Sequence, residues 1–356
     1  MSDEAQAPRI NIKAEEARRF VTNVLIGNGV PQASAETVAR CLVEADLRGV
    51  DTHGANRIPS YMKRIRNGVL DPKAVPTVKE ITPVVCQVDG HNSFGFLPAT
   101  LAMEKCIEMA KTYGIGMASI KHSNHYGMAA CYALQAVREN MMSLVFTNSS
   151  PAMTVWGGRE KLMGVSPIAA GAPGGPDSIP FIMDMAPSVA ARGKVHRALR
   201  RGEKIPTDWA LDGEGKNTDD PAKALEGVML PMGGPKGSAL SVWMDVFSGV
   251  MSGSAFAGHV VGPFDPSAVS DVGHMFMAIK PDLFVSLDEF KERMDYLYKR
   301  VVSAEKAHGV ERIFYPGEIE ILNQEKRERE GIPWTQSEID ALNAEADLVG
   351  APHLIV

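Results

Sequence analysis

Several features are scarce or missing in this sequence, and each shortage removes a class of function. No window reaches about 18 uninterrupted apolar residues, so no membrane-spanning helix is expected. The opening stretch, Met1 to Arg9, is polar and lacks an apolar centre, so it does not read as a secretory leader. Cysteine is limited to Cys41, Cys86, Cys106 and Cys131, none spaced as CxxC and each set among apolar neighbours. That pattern reads as buried free thiols in a reducing compartment, and a cytoplasmic location is the expectation. Positive charge is not in excess, with 37 Lys and Arg against 43 Asp and Glu. A net charge of −6 argues against a nucleic-acid partner, and the missing span argues against a membrane one.

Familiar signatures are missing too. The Gly-rich turn between a strand and a helix that marks a Rossmann dinucleotide site is absent. Its nearest relative, Gly114-Ile115-Gly116, follows a helix and opens a strand. Gly233-Gly234-Pro235-Lys236-Gly237-Ser238 lacks the glycine spacing of a phosphate loop. His122-Ser123-Asn124-His125 sets two imidazoles at i,i+3, but no carboxylate or thiol lies close in sequence and Gly127 signals a loop. No metal is therefore expected. No Gly-x-Ser-x-Gly elbow supports a hydrolase.

What is present is an α/β pattern. The chain has 356 residues, 45% of them hydrophobic, enough for a sizeable core and about two or three domains. Ala17, Phe20, Val21, Val24 and Leu25 recur at helical spacing over 13–27, and Asn28-Gly29 stops them. Ser34 reads as the N-cap of a second helix reaching Arg48, with Val38, Cys41, Leu42 and Ala45 on its buried stripe. A third helix ends at Asn67-Gly68. From Val84 onward strands and helices alternate. Strands are expected at 84–88, 115–120, 142–147, 181–184 and 274–280. Helices are expected at 98–112, 127–140, 187–201, 237–252 and 287–308, with a charged helical tail from Glu318.

Three constellations carry chemistry. In Asp51-Thr52-His53-Gly54-Ala55-Asn56-Arg57, a histidine in a tight turn sits beside a hydroxyl and four residues before an arginine. Arg57 can hold a carboxylate bidentately, and His53 can pass a proton to or from a carbinol oxygen near neutral pH. The second, Ser119 to Gly127, follows a strand and opens a helix, where free backbone N–H groups favour an anion such as pyrophosphate. The third is the Gly/Pro-rich centre at 148–180, including Trp156-Gly157-Gly158-Arg159 and Gly164-Val165-Ser166-Pro167. Interleaved apolar residues there suggest a shaped binding wall.

Together these segments resemble the malate/L-lactate dehydrogenase family, whose fold is not the Rossmann fold. That family also holds ureidoglycolate and sulfolactate dehydrogenases, 2,3-diketogulonate reductase and cyclic imino acid reductases. The signatures are Asp51-Thr52-His53-Gly54 with Arg57, His125-Tyr126-Gly127, Trp156-Gly157-Gly158, Asp184-Met185-Ala186, Arg192-Gly193-Lys194-Val195, Gly234-Pro235-Lys236-Gly237 and Tyr315-Pro316-Gly317-Glu318. They span nearly the whole chain in one order.

The resemblance implies an α/β fold with an NAD(P)-binding domain inserted in a second α/β domain, and a homodimer sharing its active site. The corresponding segments would be 1–80 (helical, joining the second domain), 81–120 (start of that body), 121–270 (NAD(P)-binding) and 271–356 (return to the body). It implies NAD or NADP as cofactor and a small 2-hydroxy or 2-oxo acid as substrate.

It also implies roles, residue by residue. Thr52 replaces the family's serine and keeps its hydroxyl. His53 and Arg57 match the proton-transfer and substrate positions. His125 matches the acid/base histidine of the ureidoglycolate branch, so which histidine moves the proton stays open at this point. His125, Gly127 and Ser149 fall at cofactor positions, as do Asp184, Met185, Ala186, Lys236, Gly237, Gly317 and Glu318. Val165-Ser166 departs from the common Thr-Asn, which bears on substrate contacts through Ser166. Lys194 stands where cyclic imino acid reductases carry an aspartate. A cation there suits an oxyanion and an aspartate suits a protonated imine. The sequence therefore points to a 2-hydroxy-acid dehydrogenase. An imine reductase is the alternative, and a non-catalytic nucleotide-binding protein is disfavoured by the retained histidines and Arg57.

Overall fold

The computed structural model describes residues 8–356. Two N-terminal helices form as their spacing predicts. Ala14–Gly27 buries Ala17, Phe20, Val21, Val24 and Leu25, and Gln32–Leu47 buries Val38, Cys41, Leu42 and Ala45. The second helix starts two residues before Ser34, with Pro31 at the N-cap, so Ser34 lies inside its first turn rather than capping it. Gly27 is required by packing, since a Cβ there would come within 2.5 Å of Val349 on the Gln336–Val349 helix.

A seven-stranded sheet forms the body, in the order Thr77–Thr82, Val85–Asp89, Ile115–Ser123, Val272–Ile279, Met142–Thr147, Ile168–Ala172, Phe181–Met185. Only Val85–Asp89 and Ile115–Ser123 pair in parallel; every other neighbour is antiparallel. This is a mixed α/β fold without the all-parallel sheet of the Rossmann type. The Phe96–Tyr113 helix packs on it through Phe96, Ala99, Ala102, Met103 and Cys106. Gly116 allows the close approach, because a Cβ there would lie 2.2 Å from the Cys106 carbonyl oxygen. Arg9–Ile12 and Ile332–Thr335 pair antiparallel and tie the two ends of the chain together. A smaller four-stranded sheet, Ala210–Leu211, Val228–Met229, Pro151–Met153 and Met163–Gly164, has a separate core that includes Met153, Val195, Ala210 and Met229.

The pairing directions decide where the loops gather. Val85–Asp89, Ile115–Ser123, Met142–Thr147 and Phe181–Met185 all run the same way, while Ile168–Ala172 and Val272–Ile279 run against them. One edge of the sheet therefore carries the residues after Asp89, Ser123, Thr147 and Met185, together with those before Ile168 and Val272. Ligands in open α/β sheets bind outside the carboxyl ends of strands.

Candidate active site

Between Gln32–Leu47 and the Ile58–Arg66 helix the chain makes two short 3-10 turns, Asp51–His53 and Ala55–Arg57. Gly54 joins them. A Cβ on it would lie 1.8 Å from Asp46 Oδ1, so the space belongs to that carboxyl. Asp46 is buried and accepts the Ala55 N–H at 2.9 Å, and burial pushes its carboxyl well above the usual carboxylate range. The turn is thereby pinned from beneath. Thr52 Oγ1 lies 2.9 Å from His53 Nδ1, and Arg57 Nε donates to the Thr52 carbonyl at 2.5 Å. Asp51 pairs with Arg327 rather than with Arg57. The Arg57 guanidinium lies 4.5 Å from the centre of the Phe264 ring, and its Nη1 is buried with no protein partner.

His125 follows the Ile115–Ser123 strand and faces His53, with ring centres 5.5 Å apart and planes inclined by 21°. Its Nδ1 meets two donors, the Tyr61 hydroxyl at 2.6 Å and the Gly127 N–H at 3.3 Å. A backbone N–H can only donate, so Nδ1 carries the lone pair and neutral His125 holds its proton on Nε2. His53 is not fixed in this way, because a threonine hydroxyl both donates and accepts. Burial, then the charge of Arg57, pushes His53 down to about 3. The same causes, with His53 and His274 added, hold His125 well below the ordinary imidazole range. Both rings rest neutral.

Tyr61 escaped the sequence reading, although a signal existed. It stands one helical turn after Arg57, on the same face. Tyr61→Phe is expected to leave the Gly127 N–H as the remaining donor to His125 Nδ1, loosen the ring and raise the KM for the acid about tenfold with the fold intact. Steady-state kinetics, set beside a thermal melt, check this; an unchanged KM would make Tyr61 a packing residue only.

Most of the remaining sequence candidates lie toward the same edge, while Gly317 and Glu318 sit by the amino end of Phe181–Met185, and one expectation is corrected. The N-terminus of the Ala130–Arg138 helix, expected to receive an anion, already has one: Asp184 Oδ2 accepts the Ala130 N–H at 2.8 Å. Asp184 reaches the surface, but dense surrounding protein pushes its carboxyl up to about 6, against the pull of that hydrogen bond. After Met185 and Ala186, the Pro187 carbonyl accepts the Met232 N–H at 2.8 Å. A Cβ on Gly237 would lie 2.5 Å from that same oxygen. Lys236 is thus exposed in the first turn of Pro235–Asp245, beside the 184–187 segment. Gly317, at φ +91°, packs on Ile182, and buried Glu318 pairs with Arg312. Ser149 abuts Gly164, and the hydroxyls of Ser149 and Ser166 are both buried without partners. Gly193 reaches the Thr52 methyl, a Cβ there lying 3.8 Å away, while the exposed Lys194 leans on the Trp209 ring at 6.0 Å. The two halves of the HxxH part company, with His122 on Asp89 at 3.0 Å and His125 on Tyr61.

A third imidazole lies behind this site. His274 is fully buried between Thr147 Oγ1 at 2.7 Å and Ser123 Oγ at 2.8 Å, with Tyr126 stacked on it at 4.5 Å. Burial pushes it down to about 3. An unfolded histidine takes a proton near pH ~6.5, and this folded one does not until about pH 3. Across that window the unfolded chain binds more protons, so stability falls as pH falls, by about 1.4 kcal/mol per pH unit from His274 alone. His53 and His125 act in the same direction. The melting temperature is expected to drop between about pH 7 and pH 5. His274→Gln should flatten that dependence, and a variant as steep as the wild type would clear His274 of the effect.

Comparison with known proteins agrees with this architecture. The malate/L-lactate dehydrogenase family model matches residues 12–343. L-sulfolactate dehydrogenase of Methanocaldococcus jannaschii is 38% identical over 316 residues, 89% of this chain and 91% of that one. Malate dehydrogenase of Pyrococcus abyssi is 37% identical, covering 98% and 97%. Among relatives named with a cofactor, ureidoglycolate dehydrogenase (NAD(+)) of Escherichia coli K12 is 32% identical, covering 91% and 92%. A (2R)-3-sulfolactate dehydrogenase (NADP(+)) of Chromohalobacter salexigens is 33% identical, covering 83% and 87%. The solved sulfolactate dehydrogenase of M. jannaschii superposes with a TM-score of 0.91 at 36% identity, covering 96% of this chain and 98% of that one. The delta1-piperideine-2-carboxylate reductase of Pseudomonas syringae superposes at 0.84 with 26% identity, covering 95% and 100%. A family match over most of the length, close relatives and a shared mixed sheet lead to one assignment: the chain belongs to the malate/L-lactate dehydrogenase family.

Proposed function

We propose that this chain is an NAD(P)-dependent oxidoreductase that interconverts a small 2-hydroxy acid and its 2-oxo acid. The observation that carries the reading is the buried, unpartnered Arg57 Nη1 beside two neutral imidazoles. A buried guanidinium donor left without an acceptor is costly, and a substrate carboxylate would satisfy it.

The residues present fit a dinucleotide. The hydroxyls of Ser149 and Ser166 are buried and unpartnered. Lys236 is exposed beside two positive-φ glycines, Gly233 and Gly234, at a helix start. We assign Gly127, Ser149, Asp184, Met185, Ala186, Lys236, Gly237, Gly317 and Glu318 to holding it, with 121–270 as the cofactor-binding region. When bound, the nicotinamide supplies or accepts the hydride at substrate C2.

Arg57 orients the carboxylate, its plane set by Thr52 on one side and Phe264 on the other. His125, proton on Nε2, donates a hydrogen bond to the substrate oxygen and stays neutral throughout. His53 moves the proton. In the oxidative direction it withdraws it from the hydroxyl, and in the reductive direction it returns it to the forming alkoxide. A carboxylate on Arg57 offsets the smaller of the two causes holding His53 down, so a seated substrate moves His53 back toward its ordinary range. We assign the buried Ser166 hydroxyl to the substrate, and Lys194, whose neighbour Gly193 approaches the Thr52 methyl, to supplying positive charge for an oxyanion.

Imine reduction is the competing chemistry, motivated by the likeness to the piperideine-carboxylate reductase. Lys194, rather than an acidic residue, weighs against a cationic imine. Initial rates with oxaloacetate, pyruvate, sulfopyruvate and a cyclic imino acid, against NADH and NADPH, decide it. Fastest turnover of the imino acid would overturn the 2-oxo-acid reading.

We further propose a homodimer in the cytoplasm. Its supports are four buried free thiols and large exposed apolar side chains on two elements. Those side chains are Phe284, Tyr296 and Leu297 around the Leu287–Val302 helix, and Trp243, Val246 and Val250 on Pro235–Val250. Sedimentation over a dilution series is expected to give twice the chain mass; a fully active monomer at assay concentration would remove the proposal.

A further inference from the structure

One face of a single helix bears on the substrate clamp at three successive turns. Arg57, Tyr61 and Arg64 follow at i, i+4 and i+7 at the start of and along Ile58–Arg66. Arg57 and Tyr61 have roles above. Arg64 is 1% exposed, and its guanidinium meets backbone carbonyls rather than a carboxylate. It donates to Gly262 O at 3.3 Å, to Ala268 O at 3.0 Å and to Asp265 O. All three acceptors lie some two hundred residues away in sequence, on the loop before the Val272–Ile279 strand. Asn67 Nδ2 adds a bond to Pro266 O at 3.3 Å, and Asp245 holds the start of the loop through Ala257 N–H at 2.7 Å.

That loop carries Phe264. Its ring is 69% exposed, and the Arg57 guanidinium lies over it at 4.5 Å. The loop also walls a cleft of about 520 Å³ together with Ser150 and Pro151, next to Ser149. A large aromatic ring left this open, on a loop gripped by a buried arginine, is placed where it fixes the plane of the clamp.

We infer that Arg64 and Phe264 form a positioning unit for Arg57: Arg64 fixes the 262–268 loop, and the loop presents the Phe264 ring that orients the guanidinium toward the substrate carboxylate. This rests on the reading of Arg57 as the clamp. Neither residue takes part in proton transfer, so their loss should fall on substrate binding and spare the cofactor.

The test uses Arg64→Lys, Phe264→Ala, Phe264→Tyr and the Arg64→Lys/Phe264→Ala double variant in the full chain. Each is assayed with whichever of oxaloacetate, pyruvate and sulfopyruvate the wild type turns over fastest. Arg64→Lys keeps the charge but loses the planar fork. Arg64→Lys and Phe264→Ala are each expected to raise the KM for the acid about tenfold, with kcat within about threefold and the KM for reduced cofactor unchanged. Phe264→Tyr should restore the wild-type KM, and the double variant should be no worse than Phe264→Ala, since both changes remove one contact. The inference is overturned if Arg64→Lys lowers the melting temperature but leaves the acid's KM alone, or if the two effects multiply. Should Arg64→Lys fail to fold, Phe264→Ala decides alone, because its ring is already exposed; an unchanged KM overturns the inference. Arg57→Lys is run beside them. If it too leaves the kinetics unmoved, or if no acid is turned over, the clamp reading itself has failed.

Discussion

His53→Asn is expected to depress turnover by about 10²–10⁴-fold while leaving cofactor affinity close to that of the wild type. Asparagine keeps a similar size and some hydrogen bonding to Thr52 but cannot titrate. The two histidines differ in a way that makes this a sharp test. His125 has two donors directed at Nδ1, so it offers a hydrogen and no lone pair to the cleft. His53 has one flexible hydroxyl partner and can change protonation without breaking a bond. His125→Asn should accordingly weaken substrate binding more than chemistry. Stopped-flow rates and cofactor titrations on the two variants separate the roles. Wild-type turnover in His53→Asn, with turnover lost in His125→Asn at unchanged cofactor affinity, would exchange them.

The second large effect belongs to Arg57. Arg57→Lys should lower kcat/KM at least tenfold, about 1.4 kcal/mol of transition-state stabilisation. The loss is geometric rather than electrostatic. A lysine keeps the positive charge but has no plane to lay on Phe264, and its three donors radiate from one nitrogen, so it cannot hold the Thr52 carbonyl and pair both carboxylate oxygens in a fixed fork. A folded variant with unchanged kinetics would take Arg57 out of the site.

These roles were unevenly legible in the sequence. The first two helices could be read because each buries one face, and the i,i+3,i+4 spacing of Ala17, Phe20 and Val21 reports it directly. Thr77–Thr82 could not: as an edge strand it is almost wholly exposed and shows no apolar alternation. Ile168–Ala172 was hidden by composition, since Ala169, Ala170 and Gly171 carry little strand preference. The helix expected over 187–201 starts only at Arg192, because Pro187 and Val189 exchange backbone hydrogen bonds with Leu230 and Met232. The helix expected over 287–308 ends at Val302.

The site divides in the same way. Thr52, His53 and Arg57 fall within six residues, so a short window holds their chemistry. Asp46, Arg64 and Phe264 act through contacts across the fold, and their neighbours in sequence say nothing of it. Asp184 is the instructive case. The sequence singles it out for a cofactor role, and its seat on the Ala130–Arg138 helix makes the anion at that N-terminus a side chain of this chain.

The most direct test of the central claim follows the label from reduced cofactor carrying deuterium at both hydrogens of nicotinamide C4, with the best 2-oxo acid as acceptor and mass spectrometry of the product. One deuterium per turnover is expected at C2 of the 2-hydroxy acid, with none lost to water, because the hydride passes directly while His53 handles only the exchangeable proton. Product without deuterium at C2, or cofactor oxidised with no hydroxy acid formed, would contradict it.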